Sequence, residues 1–152
     1  MLAMYHDYRV QNPSRGFLCL NEIHLGVPLQ PPMTSIFREK VASLTTLRSL
    51  ILEGKRFTGP EALSAGLVDA LGGLDEAVKL VHDRKLFELA KSPAYTTLKE
   101  GLYRQTLAAL DDEPGNQAWR EQIEKVKEAN SEEALSRVKR WEEQGKEGGA
   151  KL

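Results

Sequence analysis

The sequence predicts an α/β fold in which helices outweigh a few short strands and a long charged helix closes the chain. Three features carry that expectation. Two short apolar runs bounded by turn residues, Phe17-Leu18-Cys19-Leu20 and Leu67-Val68-Asp69-Ala70-Leu71, have the length and composition of strands. Apolar residues from Ile36 to Ile51 recur at spacings of three and four, the period of helices with one buried side. From Asp111 onward acids outnumber bases while the remainder is slightly basic, so the charge pattern separates a packed body from a charged terminal helix.

The balance of residues narrows the function classes. The 152 residues carry 21 Lys+Arg against 22 Asp+Glu, a net charge of −1, which excludes a strongly basic nucleic-acid binder. With 41% hydrophobic and 28% charged residues the chain is neither wholly disordered nor long enough in any apolar run to span a bilayer. Cys19 has no cysteine to pair with, and Met1 is not followed by a basic and then an apolar stretch, so a reducing interior compartment is expected.

Element by element, Met1 to Tyr5 reads as the end of a helix with no cap or turn leading in, as expected if the usual upstream structure is missing. His6-Asp7-Tyr8-Arg9-Val10 then runs into a short strand, and the turn Asn12-Pro13-Ser14-Arg15-Gly16 leads to the buried strand Phe17–Leu20. Ile23 to Pro28 reads as a loop, with Pro28, Pro31 and Pro32 delaying any helix to about Met33. Ile36, Phe37, Lys40 and Val41, then Leu44, Leu47, Leu50 and Ile51, mark two amphipathic segments, the second stopped by Gly54. Thr58-Gly59-Pro60-Glu61 has the spacing of a capping box and opens a short helix to Ala65, ended by Gly66. After the Leu67–Leu71 strand, Gly72-Gly73 turns the chain into a helix from about Asp75, whose buried side is Val78, Leu80, Val81, Leu86, Phe87 and Leu89. Ser92-Pro93 restarts a helix bearing Leu98, Leu102, Tyr103, Leu107 and Leu110. The turn Glu113-Pro114-Gly115-Asn116 precedes the last helix, Gln117 to about Glu143, with Trp119, Ile123, Val126, Leu135, Val138 and Trp141 on a narrow stripe. That stripe fits either a surface helix docked by its tryptophans or a partner contact.

Few residues are arranged for chemistry. His6, His24 and His82 lack a second histidine or cysteine at ligand spacing, so no metal site is expected. Neither a Gly-x-Ser-x-Gly elbow nor a phosphate-cradling Gly-rich loop is present. Glu22 stands out. A carboxylate straight after an apolar strand, flanked by Leu20, Ile23 and Leu25, is expected to be partly desolvated, a setting that suits a general base. A glutamate satisfied by backbone at a strand end is the alternative.

The stretch Arg15-Gly16-Phe17-Leu18-Cys19-Leu20-Asn21-Glu22-Ile23-His24-Leu25-Gly26, followed by Thr58-Gly59-Pro60-Glu61-Ala62-Leu63-Ser64-Ala65-Gly66-Leu67-Val68-Asp69, resembles the crotonase (enoyl-CoA hydratase/isomerase) superfamily. It is most similar to the peroxisomal delta-3,delta-2-enoyl-CoA isomerases, C-terminal part only, over about Met1 to Leu110. The resemblance implies a partial crotonase-like (ClpP/crotonase) spiral fold over residues 1–112; the charge pattern adds a charged helical segment over 113–147, and Gly148-Gly149 a flexible tail over 148–152. It makes Glu22 the catalytic base and Leu20, Ile23 and Leu25 acyl-pocket residues, and it matches Lys99 to a cation that approaches the coenzyme A end of the substrate, where a merely solvated lysine is the alternative. Coenzyme A is part of the substrate, and no separate cofactor is expected.

The implied reaction shifts the double bond of a 3-enoyl-CoA to 2-enoyl-CoA in fatty-acid beta-oxidation. One carboxylate serves both proton transfers, because C2 and C4 lie roughly 2.5 Å apart on ordinary covalent geometry. Hydration needs a second acid, which the resemblance would place at Met1, and no acid occurs from Met1 to His6. Roughly a hundred family residues are missing by domain-size comparison, among them both oxyanion-hole loops, and one such donor is worth on the order of a hundred- to a thousandfold in rate. A hydratase-like enzyme and a catalytically silent subunit therefore remain alternatives. The implied partners are a fatty acyl-CoA, a homo-oligomer (trimer or hexamer) or full-length relatives, and a peroxisomal import receptor, with no nucleic acid and no membrane span.

The import receptor follows from Ala150-Lys151-Leu152, a close variant of the Ser-Lys-Leu peroxisomal address behind Gly148-Gly149. A fluorescent protein fused to the N-terminus should give punctate peroxisomal signal that becomes diffuse when Leu152 is deleted; diffuse signal in both forms excludes this address.

Overall fold

The computed structural model describes residues 1–148, with side chains described through residue 144. It divides into two compact units, Met1–Asp111 and Asp112–Leu152.

In the first unit a single 3-10 turn, Leu2–Tyr5, buries Met4 and leads into strand β1, Val10–Gln11. β1 pairs in parallel with β2, Ala70–Leu71, with Val10 opposite Ala70 and Gln11 opposite Leu71. A parallel pair requires a long crossover, and here the crossover is helical: α1 (Glu22–Leu25), α2 (Pro31–Lys40), α3 (Leu44–Ile51) and α4 (Gly59–Ser64). Arg9 fastens the pair beyond its two-residue ladder. Its backbone N–H donates to Asp69 Oδ2 at 2.9 Å, its Nε donates to the Leu67 carbonyl at 2.7 Å, and its own carbonyl accepts from Asp69 N–H at 2.8 Å. After β2 come α5 (Leu74–Asp83), α6 (Leu86–Leu89), α7 (Tyr95–Leu102) and α8 (Arg104–Asp111).

The core gathers Met4, Leu20, Ile36, Phe37, Val41, Leu50, Phe57, Ala62, Leu67 and Val68. Burying side chains such as Phe37 and Leu50 stabilises by about 1.5–3 kcal/mol each. The capping motif forms as spaced: Glu61 Oε2 accepts from Thr58 N–H at 2.9 Å and from Thr58 Oγ1 at 2.8 Å.

Several elements depart from the sequence expectation. Phe17–Leu20 is not a ladder strand but a single antiparallel bridge, Leu18 with Phe57, leaving Phe17 58% exposed while Leu20 is buried. Phe57 immediately precedes the N-cap of α4, so it has one residue to offer. Of Leu67–Leu71 only the last two residues pair; Leu67 and Val68 instead donate back to the Ala62 carbonyl at the end of α4. The expected loop after Asn21 contains the helical turn α1, closed by Gly26 in the left-handed region at φ 66°. α2 starts at Pro31 rather than near Met33, since prolines in a first turn forfeit only amides that have no helical partner. Val78, Phe87, Leu89, Leu98, Leu102, Leu107 and Leu110 are exposed rather than inward, as is Leu44. Within residues 74–111 the pattern is broken: Lys85, at φ 52°, divides α5 from α6, and Tyr103 interrupts α7 and α8, so no one face continues along either stretch; Leu44 is the first residue of α3 and lies outside both.

The second unit is the 36-residue helix α9, Glu113–Gly148. The expected turn at Glu113–Asn116 is its first turn, where Gly115 N–H donates to Asp112 Oδ1 at 2.9 Å. Trp119 and Ile123 are half-buried, whereas Val126, Leu135, Val138 and Trp141 are exposed. No described helix is long and apolar enough to cross a membrane.

The contact between α2 and α8 is anchored by Glu39. Its carboxylate accepts from Gln105 N–H at 2.9 Å, from Thr106 N–H at 3.3 Å and from the Thr106 hydroxyl, serving the N-terminus of α8 from another helix. Replacing Glu39 by Ala should cost about 1–2 kcal/mol, read as a lower urea midpoint, with Glu39→Asp or Glu39→Gln recovering part of the loss.

Candidate active site

Leu20 is buried in the core, and the chain leaves it through Asn21 into the single turn of α1. The Asn21 carbonyl accepts from His24 N–H at 3.0 Å and Leu25 N–H at 3.2 Å, and the Glu22 carbonyl accepts from Val27 N–H at 3.1 Å. These bonds set Glu22 at the first position of the turn. The turn itself rests on Gly54: a methyl group there would lie 2.6 Å from His24 Nε2 and 3.1 Å from Ile23 Cγ2, and the φ of 59° also favours glycine.

Glu22 is half-buried, and its Oε2 is buried without a hydrogen-bond partner among the described residues. The remaining residues expected around it diverge. Leu20 points into the core, but Ile23 is 51% and Leu25 64% exposed, so the structure does not close an apolar pocket around the carboxylate. Glu22 lines none of the five clefts described in this chain. No group of three or more metal-ligating side chains occurs among the described residues.

Lys99 belongs to a different cluster, centred on Asp7. Lys99 Nζ lies 2.6 Å from Asp7 Oδ2, and Lys40 Nζ lies 3.6 Å from Asp7 Oδ1 while donating to the His6 carbonyl at 2.7 Å. Lys40 also stands 4.5 Å over the Tyr103 ring. Burial by itself raises the Asp7 carboxyl, but Lys99, Tyr103 and the charge of Lys40 outweigh it and hold the group below the ordinary aspartate range. Burial, reinforced by the neighbouring Asp7, pushes the Tyr103 phenol up to about 12. Lys99 is raised by its hydrogen bond to Asp7, whereas burial pulls Lys40 down against the attraction of the same carboxylate. Asp7, Lys40 and Tyr103 escaped sequence reasoning, since each lies on a separate element; a charged Lys40 on the apolar side of its helix was the available signal.

Comparison with solved structures identifies the fold. A probable enoyl-CoA hydratase of Mycobacterium tuberculosis superposes with a TM-score of 0.63 at 20% identity, over 82% of this chain and 52% of that one. The chain carries part of the crotonase fold. Among curated proteins, enoyl-CoA delta isomerase 3 of Arabidopsis thaliana is 28% identical over 116 residues, covering 73% of this chain and 49% of that protein. The peroxisomal enoyl-CoA delta isomerase 2 of the same plant is 27% identical over 115 residues, covering 72% and 48%. The chain thus spans about half the length of the curated relatives it matches. No family model matches it. Within the crotonase-like body, Glu22 and Lys99 lie on separate elements, α1 and α7. The address Ala150-Lys151-Leu152 lies outside the described residues.

The electrostatics of the cluster set a pH response. The neutral Tyr103 phenol, with its pKa raised from 10.0 to about 12, contributes stability that is complete below pH 10 and lost as pH rises through 12. Asp7, depressed from 3.8, contributes stability that is present above that value and lost as pH falls through its lower folded value. In an ultraviolet titration of the four tyrosines, the step near pH 12 should vanish in Tyr103→Phe; an unchanged curve would reject the assignment.

Proposed function

We propose that this chain carries the proton-transfer half of an enoyl-CoA isomerase site, with Glu22 as the single base that shifts the double bond of a 3-enoyl-CoA to the 2-position. One observation supports the reading above others: Glu22 opens α1 straight after a buried residue, with Oε2 buried and unpartnered among the described residues. A buried acceptor without a partner costs about 1–3 kcal/mol, and a free carboxylate oxygen is what proton abstraction requires. Glu22 takes a proton from C2 of the thioester, leaving a dienolate, and returns it to C4, so no net proton or electron is consumed. The relatives named as enoyl-CoA delta isomerases favour this reaction over hydration. Delta isomerase 2 is named peroxisomal, which agrees with the closing Ala150-Lys151-Leu152.

A second reading, a silent subunit that joins a full-length relative, is favoured by the exposed apolar residues Val126, Leu135, Val138 and Trp141 along α9. The resemblance puts both oxyanion donors outside this sequence, so turnover by the chain alone is expected to be slow, by on the order of a hundred- to a thousandfold per donor.

Folded chain should convert 3-hexenoyl-CoA to the 2-enoyl product, and Glu22→Gln should remove that activity. Equal rates in both forms would exclude Glu22, and no conversion at all rejects the enzyme reading for this chain. Co-purification with a full-length relative, retained in Glu22→Gln, then selects the subunit reading.

A further inference from the structure

Asp7 faces two lysines that differ in how freely they could leave it. The Lys40 side chain is 4% exposed, tied to the His6 carbonyl and stacked over Tyr103. Withdrawing it would strand a charge in the protein, which is costly. The Lys99 side chain is 45% exposed and stands where two clefts adjoin, of 320 and 370 Å³, both lined by Tyr95 and Tyr103. If Lys99 swings away, Asp7 keeps Lys40 and the Tyr103 hydroxyl beside it. One carboxylate stands between two ammonium groups, of which only Lys99 lines the clefts; Glu100 also lines the second of them.

We propose that Asp7 is an internal stand-in for a ligand phosphate: it stores Lys99 between the clefts and yields it when a phosphate ester of the ligand arrives, with Lys40 remaining as its counter-ion. This rests on the reading that the chain takes a thioester of coenzyme A, which bears such phosphates. The exchange is favoured because a phosphate monoester carries nearly two charges where a carboxylate carries one, and Coulomb attraction to the same ammonium scales with that charge. Asp7 therefore restricts occupancy of Lys99 to strongly charged anions and screens out weaker ones.

Coenzyme A itself is the probe, titrated calorimetrically into the full chain. Asp7→Asn should bind it about two- to fivefold more tightly, the scale of one partly exposed ion pair. Lys99→Ala should bind more weakly than the wild type, and the double variant no more tightly than Lys99→Ala. Weaker binding by folded Asp7→Asn overturns the proposal, since Asp7 would then be presenting Lys99 rather than withholding it. Binding that ignores Lys99 in both backgrounds overturns it too while leaving the acyl-CoA reading intact; a wild-type chain that does not bind coenzyme A ends both. Because Asp7→Asn deprives buried Lys40 of its counter-ion and could unfold the chain, a wild-type measurement stands beside it. On coenzyme A addition, NMR signals of Lys99 Nζ and Asp7 Cγ should move together while Lys40 Nζ stays; a bound chain with Lys99 and Asp7 unmoved refutes the exchange.

Discussion

Glu39 and Lys40, adjacent in the last turn of α2, reach to the two sides of the break between α7 and α8. Glu39 receives the free amides at the start of α8, and Lys40 sits over the ring of Tyr103, the residue at the break itself. Neither helix has the apolar face to dock by burial alone, since Leu98, Leu102, Leu107 and Leu110 are exposed. Polar contacts from α2 therefore carry what hydrophobic packing does not, and they set where Lys99 and Tyr103 stand relative to Asp7. The hydrogen bonds to a charged carboxylate are stronger than neutral ones, which lets a single side chain direct a helix.

The two places where chemistry is concentrated are built differently. The Glu22 turn is local: a buried Leu20, a helical turn of four residues, and a left-handed Gly26, supported from outside by the bare backbone of Gly54. The Asp7 cluster is assembled from the bend ahead of β1, the end of α2, and α7 with the break that follows it, three segments far apart in sequence. Each leaves one buried carboxylate oxygen without a hydrogen bond among the described residues, Glu22 Oε2 and Asp7 Oδ1, but Asp7 Oδ1 has Lys40 Nζ 3.6 Å away. Both involve an acid at the edge of the core, and the surrounding cations are what distinguish the Asp7 ion-pair cluster from the Glu22 turn.

Much of the helical fold was legible because its signals are local. The Thr58–Glu61 capping box, the stop at Gly66 and the three-and-four spacing of Ile36, Phe37, Leu47 and Leu50 each depend on residues within a turn or two of one another. The strands were not legible at their true length. Phe17–Leu20 and Leu67–Leu71 have the composition of strands, but a ladder needs a neighbour with free backbone groups, and Phe57 offers one residue while Ala62 draws away Leu67 and Val68. The long apolar patterns of residues 78–110 misled for a related reason. A stripe predicts burial only if one helix carries it through, and Lys85 and Tyr103 interrupt both.

By itself the sequence determined the crotonase-like pattern, the position of Glu22 after an apolar run and the charged terminal helix, because each is written in neighbouring residues and their spacing. Tertiary structure alone decided that Ile23 and Leu25 face outward, that Lys99 is held by Asp7, and that Glu39 of one helix caps another. Those outcomes turn on which distant groups meet, and the energy of an ion pair or a buried amide depends on a partner that no local pattern names.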